Sequence, residues 1–259
     1  MKEKLFVGFL IWAFLISYSS IALADDTTYS LGANEGAKFI WKVTKCDETK
    51  LKDTLGDDWD DDGGVIEDAY SNGLKQKIVI KEIEEDAELD LAILGKHDTI
   101  GYIIDLWEWT SEAFEAEADE DEYEISWFEN PDDLNDVYEK LGGFYIHQYI
   151  GGFSMQLFFL PVPVESYLAD IEYRANWGAE GNSIIHNAKG EEEYVVIYTY
   201  DKSTGFLSSY VIKNEAGEVI YQIGATGLIS GYEIQLFIGI TCISTIGIVY
   251  FIIRKNSKN

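Results

Sequence analysis

The sequence predicts an α+β fold: a predominantly antiparallel β-sheet with two or three short helices, plus a C-terminal single transmembrane helix. Three observations carry it. Residues 183–223 hold four β-rich runs separated by glycine-bearing turns. Residues 99–110 form one long apolar strand, and two apolar stripes of helical spacing follow Asn130 and Pro163.

The chain opens on MKEKLFVGFLIWAFLISYSSIALADD. Lys2 and Lys4 precede an uncharged run from Leu5 to Ile16, and Ala22-Leu23-Ala24 supplies a small-x-small cleavage site. Residues 1–24 therefore read as a secretory signal peptide, with the mature chain beginning at Asp25. The alternative is an uncleaved signal anchor.

KFIWKVTK, residues 38–45, reads as a strand. Residues 46–73 are polar and acidic and read as a long loop with at most one helical turn. KQKIVIKEIEE, from Lys75, reads as a strand with Lys75, Lys77 and Lys81 on one face. In Thr99–Thr110, two-residue alternation places Ile100, Tyr102, Ile104 and Leu106 on one face and Ile103, Trp107 and Trp109 on the other. Both faces then need cover. Glu112–Glu122 reads as a solvated acidic loop, and Tyr123–Phe128 as a strand.

Asn130-Pro131-Asp132-Asp133 is a helix start: a cap, a proline in the first turn, and acids at the positive end of the dipole. Leu134, Val137, Tyr138 and Leu141 give its apolar stripe, and Gly142-Gly143 stops it. Val164, Tyr167, Leu168 and Ile171 repeat the spacing after Pro163. Residues 144–160 between them read as strand, glycine kink, strand. Ser183–Asn187, Glu193–Asp201, Phe206–Lys213 and Glu218–Ile223 follow as an antiparallel meander whose turns each hold a glycine for a positive φ. Residues 25–231 are most simply one extracytoplasmic α+β domain. A division near residue 142 is the alternative. A sheet with helices laid across one face is also the layout of lipoprotein-carrier proteins, an analogy of layout alone.

From Leu236 to Ile253 no residue is charged. As a helix that run is about 27 Å long, close to the hydrocarbon thickness of a bilayer. Arg254, Lys255 and Lys258 follow, and positive flanks stay cytoplasmic. Residues 235–253 are thus the expected transmembrane helix and 254–259 a cytoplasmic basic tail. The whole is a single-pass type I protein of the cell membrane, with its ectodomain outside. Ser230-Gly231-Tyr232-Glu233-Ile234, the apolar run and Arg254-Lys255 together resemble the C-terminal sorting and anchoring segments of archaeal cell-surface proteins, in particular uncharacterised surface proteins of Asgard archaea. Those segments carry a Pro-Gly-aromatic signature. Ser230 stands in the proline position, a departure that bears on enzymatic removal of the span and leaves the anchor intact. The match covers about thirty residues and implies anchoring, not an activity.

Formal charge is −28, and Lys2, Lys4, Glu3 and the three basic tail residues contribute +4 of it, so the exported part carries −32. A body this acidic repels phosphate backbones, so nucleic acid is excluded as a partner. Apolar residues at 47% and aromatics at 14% are too many for a disordered acidic tail. Cys242 lies in the apolar run and Cys46 in the body, so the body has no internal disulfide; Cys46 reads as a buried small hydrophobe.

DDWDDDGG, residues 57–64, is the densest acidic run. Asp58, Asp60 and Asp62 fall at positions 1, 3 and 5 of a calcium loop, with Gly63 at position 6 and Val65 at position 8. Position 12, which should be a bidentate glutamate, is Ala69, and no amphipathic helix flanks the run, so a crowded solvated loop is the favoured reading. His97, in a Gly-Lys-His-Asp turn, His147 and His186 have no metal-ligand spacing. Trp107 and Trp109 form either a sugar platform or sheet packing; packing is favoured. No residue is assigned as catalytic, cofactor-binding or metal-ligating, and no cofactor is implied. The expected partners are membrane lipid, through the C-terminal helix, and an unknown surface protein or small ligand. The favoured function is a non-enzymatic binding or surface-contact module. The alternative is an extracytoplasmic carboxylate-dependent hydrolase.

Overall fold

A computed structural model describes residues 28–60, 69–91, 95–140, 158–173 and 176–229. Nine strands form one sheet: β1 (Lys38–Cys46), β2 (Lys75–Leu91), β3 (Gly95–Thr110), β4 (Glu120–Phe128), β5 (Trp177–Glu180), β6 (Ser183–Lys189), β7 (Glu193–Tyr200), β8 (Leu207–Asn214) and β9 (Val219–Ile229). Their order is β4-β3-β2-β1-β9-β8-β7-β6-β5, with every neighbouring pair antiparallel. Two meanders therefore run outward from the centre, where β1 and β9 pair from Lys38↔Ile229 to Cys46↔Tyr221. A single sheet spans both halves of the described chain. The expected transmembrane helix and signal peptide lie outside the described residues; among those described, no helix is long and apolar enough to cross a membrane.

Three helices accompany the sheet: α1 (Glu48–Leu55), α2 (Pro131–Lys140) and α3 (Val164–Asp170). α2 begins as its sequence predicts, with the Asn130 carboxamide oxygen accepting from the Asp132 amide at 3.0 Å. Leu134 and Val137 are buried; Leu141 and residues 142–157 lie outside the described residues. α3 buries Val164, Tyr167 and Leu168. α1 corrects the expectation of a loop over 46–73. Asp47 caps it, accepting from the Lys50 amide, and Leu51 and Thr54 are buried against the core. Those two anchors are spaced by three residues in an otherwise charged stretch, too sparse a stripe to stand out.

The links from β4 to β5, at opposite edges of the sheet, carry α2 and α3 across its inner face. That face is apolar and strongly aromatic. Trp41, Tyr102, Tyr198, Tyr210 and Tyr221 on it are 0–1% exposed. Phe158, Phe159, Phe206 and Tyr167 pack over them, with Phe206 stacked on Phe39 at 3.8 Å and Phe158 on Trp41 at 4.8 Å. The tyrosines of β7, β8 and β9 meet edge to face: Tyr198 to Tyr210 at 5.0 Å and Tyr210 to Tyr221 at 6.0 Å. Three of the polar handles find backbone carbonyls. Trp41 Nε1 donates to the Leu207 carbonyl at 2.7 Å, Tyr221 to Ala69 at 2.7 Å, and Tyr167 to Phe128 at 2.9 Å.

The meander turns behave differently from one another. Gly205 has φ +74°, and a Cβ there would sit 2.0 Å from the Leu160 carbonyl oxygen, so both conformation and space demand glycine. In the same turn Asp201 Oδ1 accepts from the amides and hydroxyls of Ser203 and Thr204 at 2.6–3.0 Å. Partial burial would raise that carboxyl, but the four donors win and hold it below the usual carboxylate range. Gly190 does not have the expected positive φ. It is required by close approach instead, because a Cβ would lie 2.7 Å from the Thr54 carbonyl of α1.

Two expectations about the core are quantitative. Leu207, 1% exposed, should lose about 2–5 kcal/mol of stability as Leu207→Ala in denaturant unfolding, the usual range for emptying a buried leucine site. A loss under about 0.5 kcal/mol would mark a surface position instead. Burial also raises the phenols of the inner face: Tyr102 is pushed up to about 12, partly offset by amide donors at Ala33 and Gly32, and Tyr167, Tyr198, Tyr200, Tyr210 and Tyr221 rise further. The folded state then holds protons that the unfolded chain releases near pH 10, so stability falls as pH rises above about 10. Tyrosinate absorbance is expected to appear cooperatively with loss of β-sheet circular dichroism. Full ionisation with the sheet intact would refute the buried row.

Candidate functional site

The acidic run owes its tryptophan to packing. Trp59 is buried in the core cluster, and the flanking Asp57, Asp58 and Asp60 point to solvent. Asp57 meets Lys52 at 2.6 Å, an exposed pair worth little. Asp61, Asp62 and Gly63 lie outside the described residues. Among the described residues no three His, Cys, Asp or Glu side chains are grouped as metal ligands.

His97 is a strand residue and not in a turn. It lies in β3 opposite Leu89, because the β2–β3 hairpin continues past it to Leu91↔Gly95. It is buried, with Nδ1 3.5 Å from Asp133 of α2 and its ring edge-on to Phe128 at 5.7 Å; Nε2 has no hydrogen-bond partner among the described residues. His186 stacks on Trp177 at 3.9 Å, joining β6 to the edge strand β5. His147 lies outside the described residues. Cys46 is half-buried. Its thiol donates to the Tyr70 carbonyl at 3.2 Å and is pushed up to about 11 by burial and then by Glu48 and Asp47, which leaves it a poor nucleophile.

Trp107 and Trp109 do not share a face. Lys77 pairs with Trp107 but Lys75 with Thr110, so β3 spends three residues where β2 spends two. That bulge keeps Trp107 on the outer face and turns Trp109 inward, where it packs against the core. The flat aromatic pair that a sugar platform needs is therefore absent. Period-2 alternation carries no sign of such a bulge.

Trp107 has a different task. Lys77 Nζ lies 3.0 Å from its ring centroid and 5.0 Å from that of Phe114. Trp107 Nε1 donates to the Glu115 carbonyl at 3.1 Å, and the Asp119 carboxylate accepts from the Glu108 amide at 2.8 Å. The acidic loop 111–119 is thereby folded back over the outer face and supplies the second cover that β3 requires. Lys77 is 7% exposed, and burial followed by the positive charge of Lys38 pulls its ammonium below the ordinary lysine range. Cation–π attraction to two rings offsets that desolvation.

The outer face also gathers lysines that the linear sequence separates. Lys38 and Lys42 of β1 stand on the same side as Lys75 and Lys77 of β2, with Lys42 directly opposite Lys75. The alternation in KFIWK carries the β1 part of this pattern; the pairing of β1 with β2 does not follow from it. Further along, Lys81 meets Asp105 at 3.0 Å, and Asp121 of β4 is pushed above the usual carboxylate range by its hydrogen bond with Asp105 and by that residue's charge. This carboxyl pair is the nearest approach to a general acid–base arrangement in the described residues. Asp121 is fully exposed, so water competes for it.

No protein-family model, curated protein or solved structure matches this chain.

The acidic run yields a direct test. Asn at Asp58, Asp60 and Asp62 together should leave the melting temperature equal or slightly higher at low salt, because like-charge repulsion is relieved. Millimolar Ca²⁺ should raise the melting temperature of the parent chain no more than Mg²⁺ at equal ionic strength. A calcium-specific rise abolished by the three substitutions would make the run a binding loop, since a ligand at a hundredfold excess over Kd adds about 2.7 kcal/mol.

Proposed function

We propose that the chain is a membrane-anchored cell-surface protein whose acidic, β-rich ectodomain is a non-enzymatic surface-contact module. The observation that carries this reading is the division of chemistry between the two faces of the sheet. The inner face is filled with packed aromatic and aliphatic side chains, the polar or charged residues buried whole among those described are Thr54, Gln76, Lys77, His97 and Thr99, and Asp105, on the outer side, buries one carboxylate oxygen. A glycosidase-type or protease-type acid needs a sheltered carboxyl, and Asp105, the carboxylate with a buried oxygen, is tied to Lys81 at 3.0 Å. What remains for recognition is the outer surface, where charge is sorted into a lysine strip and acidic loops.

The anchor and the outside location rest on the sequence: the cleavable N-terminal segment 1–24, the uncharged run within 235–253 and the basic residues at 254–259. The similarity of residues 230–255 to archaeal anchoring segments supports the same arrangement. Protease added to intact cells should digest the body and leave a tag fused after Asn259 protected. N-terminal sequencing of the mature protein should begin at Asp25. A C-terminal tag reached from outside would overturn the type I arrangement, and a mature chain starting at Met1 would replace cleavage by a signal anchor.

A further inference from the structure

We propose that the lysine strip on the outer face of β1 and β2, formed by Lys38, Lys42 and Lys75, is the docking site for an acidic segment of a protein partner. The inference deepens the surface-contact reading and rests on it.

The strip runs against the chain's own composition. Acids outnumber bases 47 to 19, so a lysine placed without constraint finds a carboxylate nearby. Several do: Lys45 and Lys50 meet Glu218 at 4.0 and 2.6 Å, Lys52 meets Asp57, Lys81 meets Asp105, and Lys202 meets Glu165 at 2.6 Å, whereas the isolated Lys189 and Lys213 have no ion pair among the described residues. Lys38, Lys42 and Lys75 have no ion pair among the described residues, although Lys42 and Lys75 face each other across the β1–β2 ladder. Like charges directly opposite on a sheet are destabilising. Lys38 lies four residues along the same face of β1 from Lys42, about 13 Å away. Among the described residues no carboxylate pairs with the row, Lys75 Nζ lies 5.6 Å from the Phe114 ring, and what sets these lysines apart is that β-pairing gathers them on one face.

The ground beside the row is low. Gly224 of β9 lies opposite Lys42, Gly227 opposite Ile40, and Ser209 of β8 opposite Gly224. A Cβ at Gly224 would meet nothing within 4 Å. An extended acidic chain has room to lie there with its carboxylates against the ammonium groups.

The borders decide between kinds of anionic partner. On one side stands the folded-back loop with Glu112, Glu115, Glu117 and Asp119, all exposed. On another, Glu218 sits beside Lys45 and Lys50 at the β8–β9 turn. A planar anionic bilayer would bring its head groups against these acids together with the lysines. A narrow acidic segment can reach the lysines between them.

The test uses the full chain in an uncharged detergent and a fluorescent polyglutamate peptide followed by anisotropy. The parent chain should bind, with affinity falling as salt rises. Lys38→Glu, Lys42→Glu and Lys75→Glu together should weaken binding by about tenfold or more, the equivalent of three exposed ion pairs of ordinary strength. Lys189→Glu, on β6 away from the strip, should leave it unchanged. The glutamine set K38Q, K42Q and K75Q gives the same comparison with a smaller loss, and keeps the test open should the glutamate set fail to fold. Four results would each overturn the proposal: no binding by the parent chain at low salt, equal binding by the glutamine set, anionic vesicles bound in preference to the peptide, or strip-dependent self-association that accounts for the charge. Because the measurement is made in detergent, it does not depend on membrane topology, so its failure and a failed protease-protection result are separable.

Discussion

The pairing of β1 with β9 is the contact on which the rest of the structure depends. Without it the chain is two meanders, each with a hydrophobic face too narrow to bury. With it, nine strands share one inner face. The bond from Trp41 Nε1 to the Leu207 carbonyl spans 166 residues, and that from Thr44 to the Gln222 carbonyl spans 178. Closing such distances costs entropy before any packing offsets it, so this central seam is the slow, non-local part of folding. Trp41 sits at the seam with Phe39, Phe158 and Phe206 around it, which concentrates the largest apolar surfaces where the two halves meet.

The same seam determines how the two faces divide their work. The segment joining the outermost strands has to travel across the sheet, and its helices and Phe158–Leu160 become the inner cover. The outer face has no such crossing element among the described residues. It is covered only where β3 carries Trp107, by a loop held through main-chain hydrogen bonds and a clasped lysine. Elsewhere among the described residues that face is half-buried and mixed, with Ile40, Val79, Ile185, Ile197 and Val211 beside lysine, serine and threonine. The proposed surface contact rests on that asymmetry.

Charge follows the architecture in a less obvious way. The acids are spread over loops, helices and the outer strands, among them Glu82, Glu84 and Glu85 of β2, Asp105 of β3 and Glu120, Asp121 and Glu124 of β4. Six lysines stand on β1 and β2, on one side of the seam, and β-pairing forces several of them together. The strip is thus a product of register: shifting β2 by one residue against β1 would carry Lys75 and Lys77 to the inner face.

Much of this was legible in the amino-acid order alone. Glycine-punctuated alternation in residues 183–223, the Asn130-Pro131 helix start and the stripe after Pro163 determine local structure because their physical causes are local: backbone φ, capping, and periodicity of two or 3.6 residues. Other features needed the tertiary structure. α1 exists because Leu51 and Thr54 find a core to enter, and edge strand β5 because Trp177 finds His186 to stack on. A bulge separates Trp107 from Trp109, and His97 falls in a strand because the β2–β3 hairpin runs long. Lys42 meets Lys75 only because β1 turns out to be the neighbour of β2. Each of these depends on a partner distant in the chain, and a linear pattern holds no record of which distant residue that partner is.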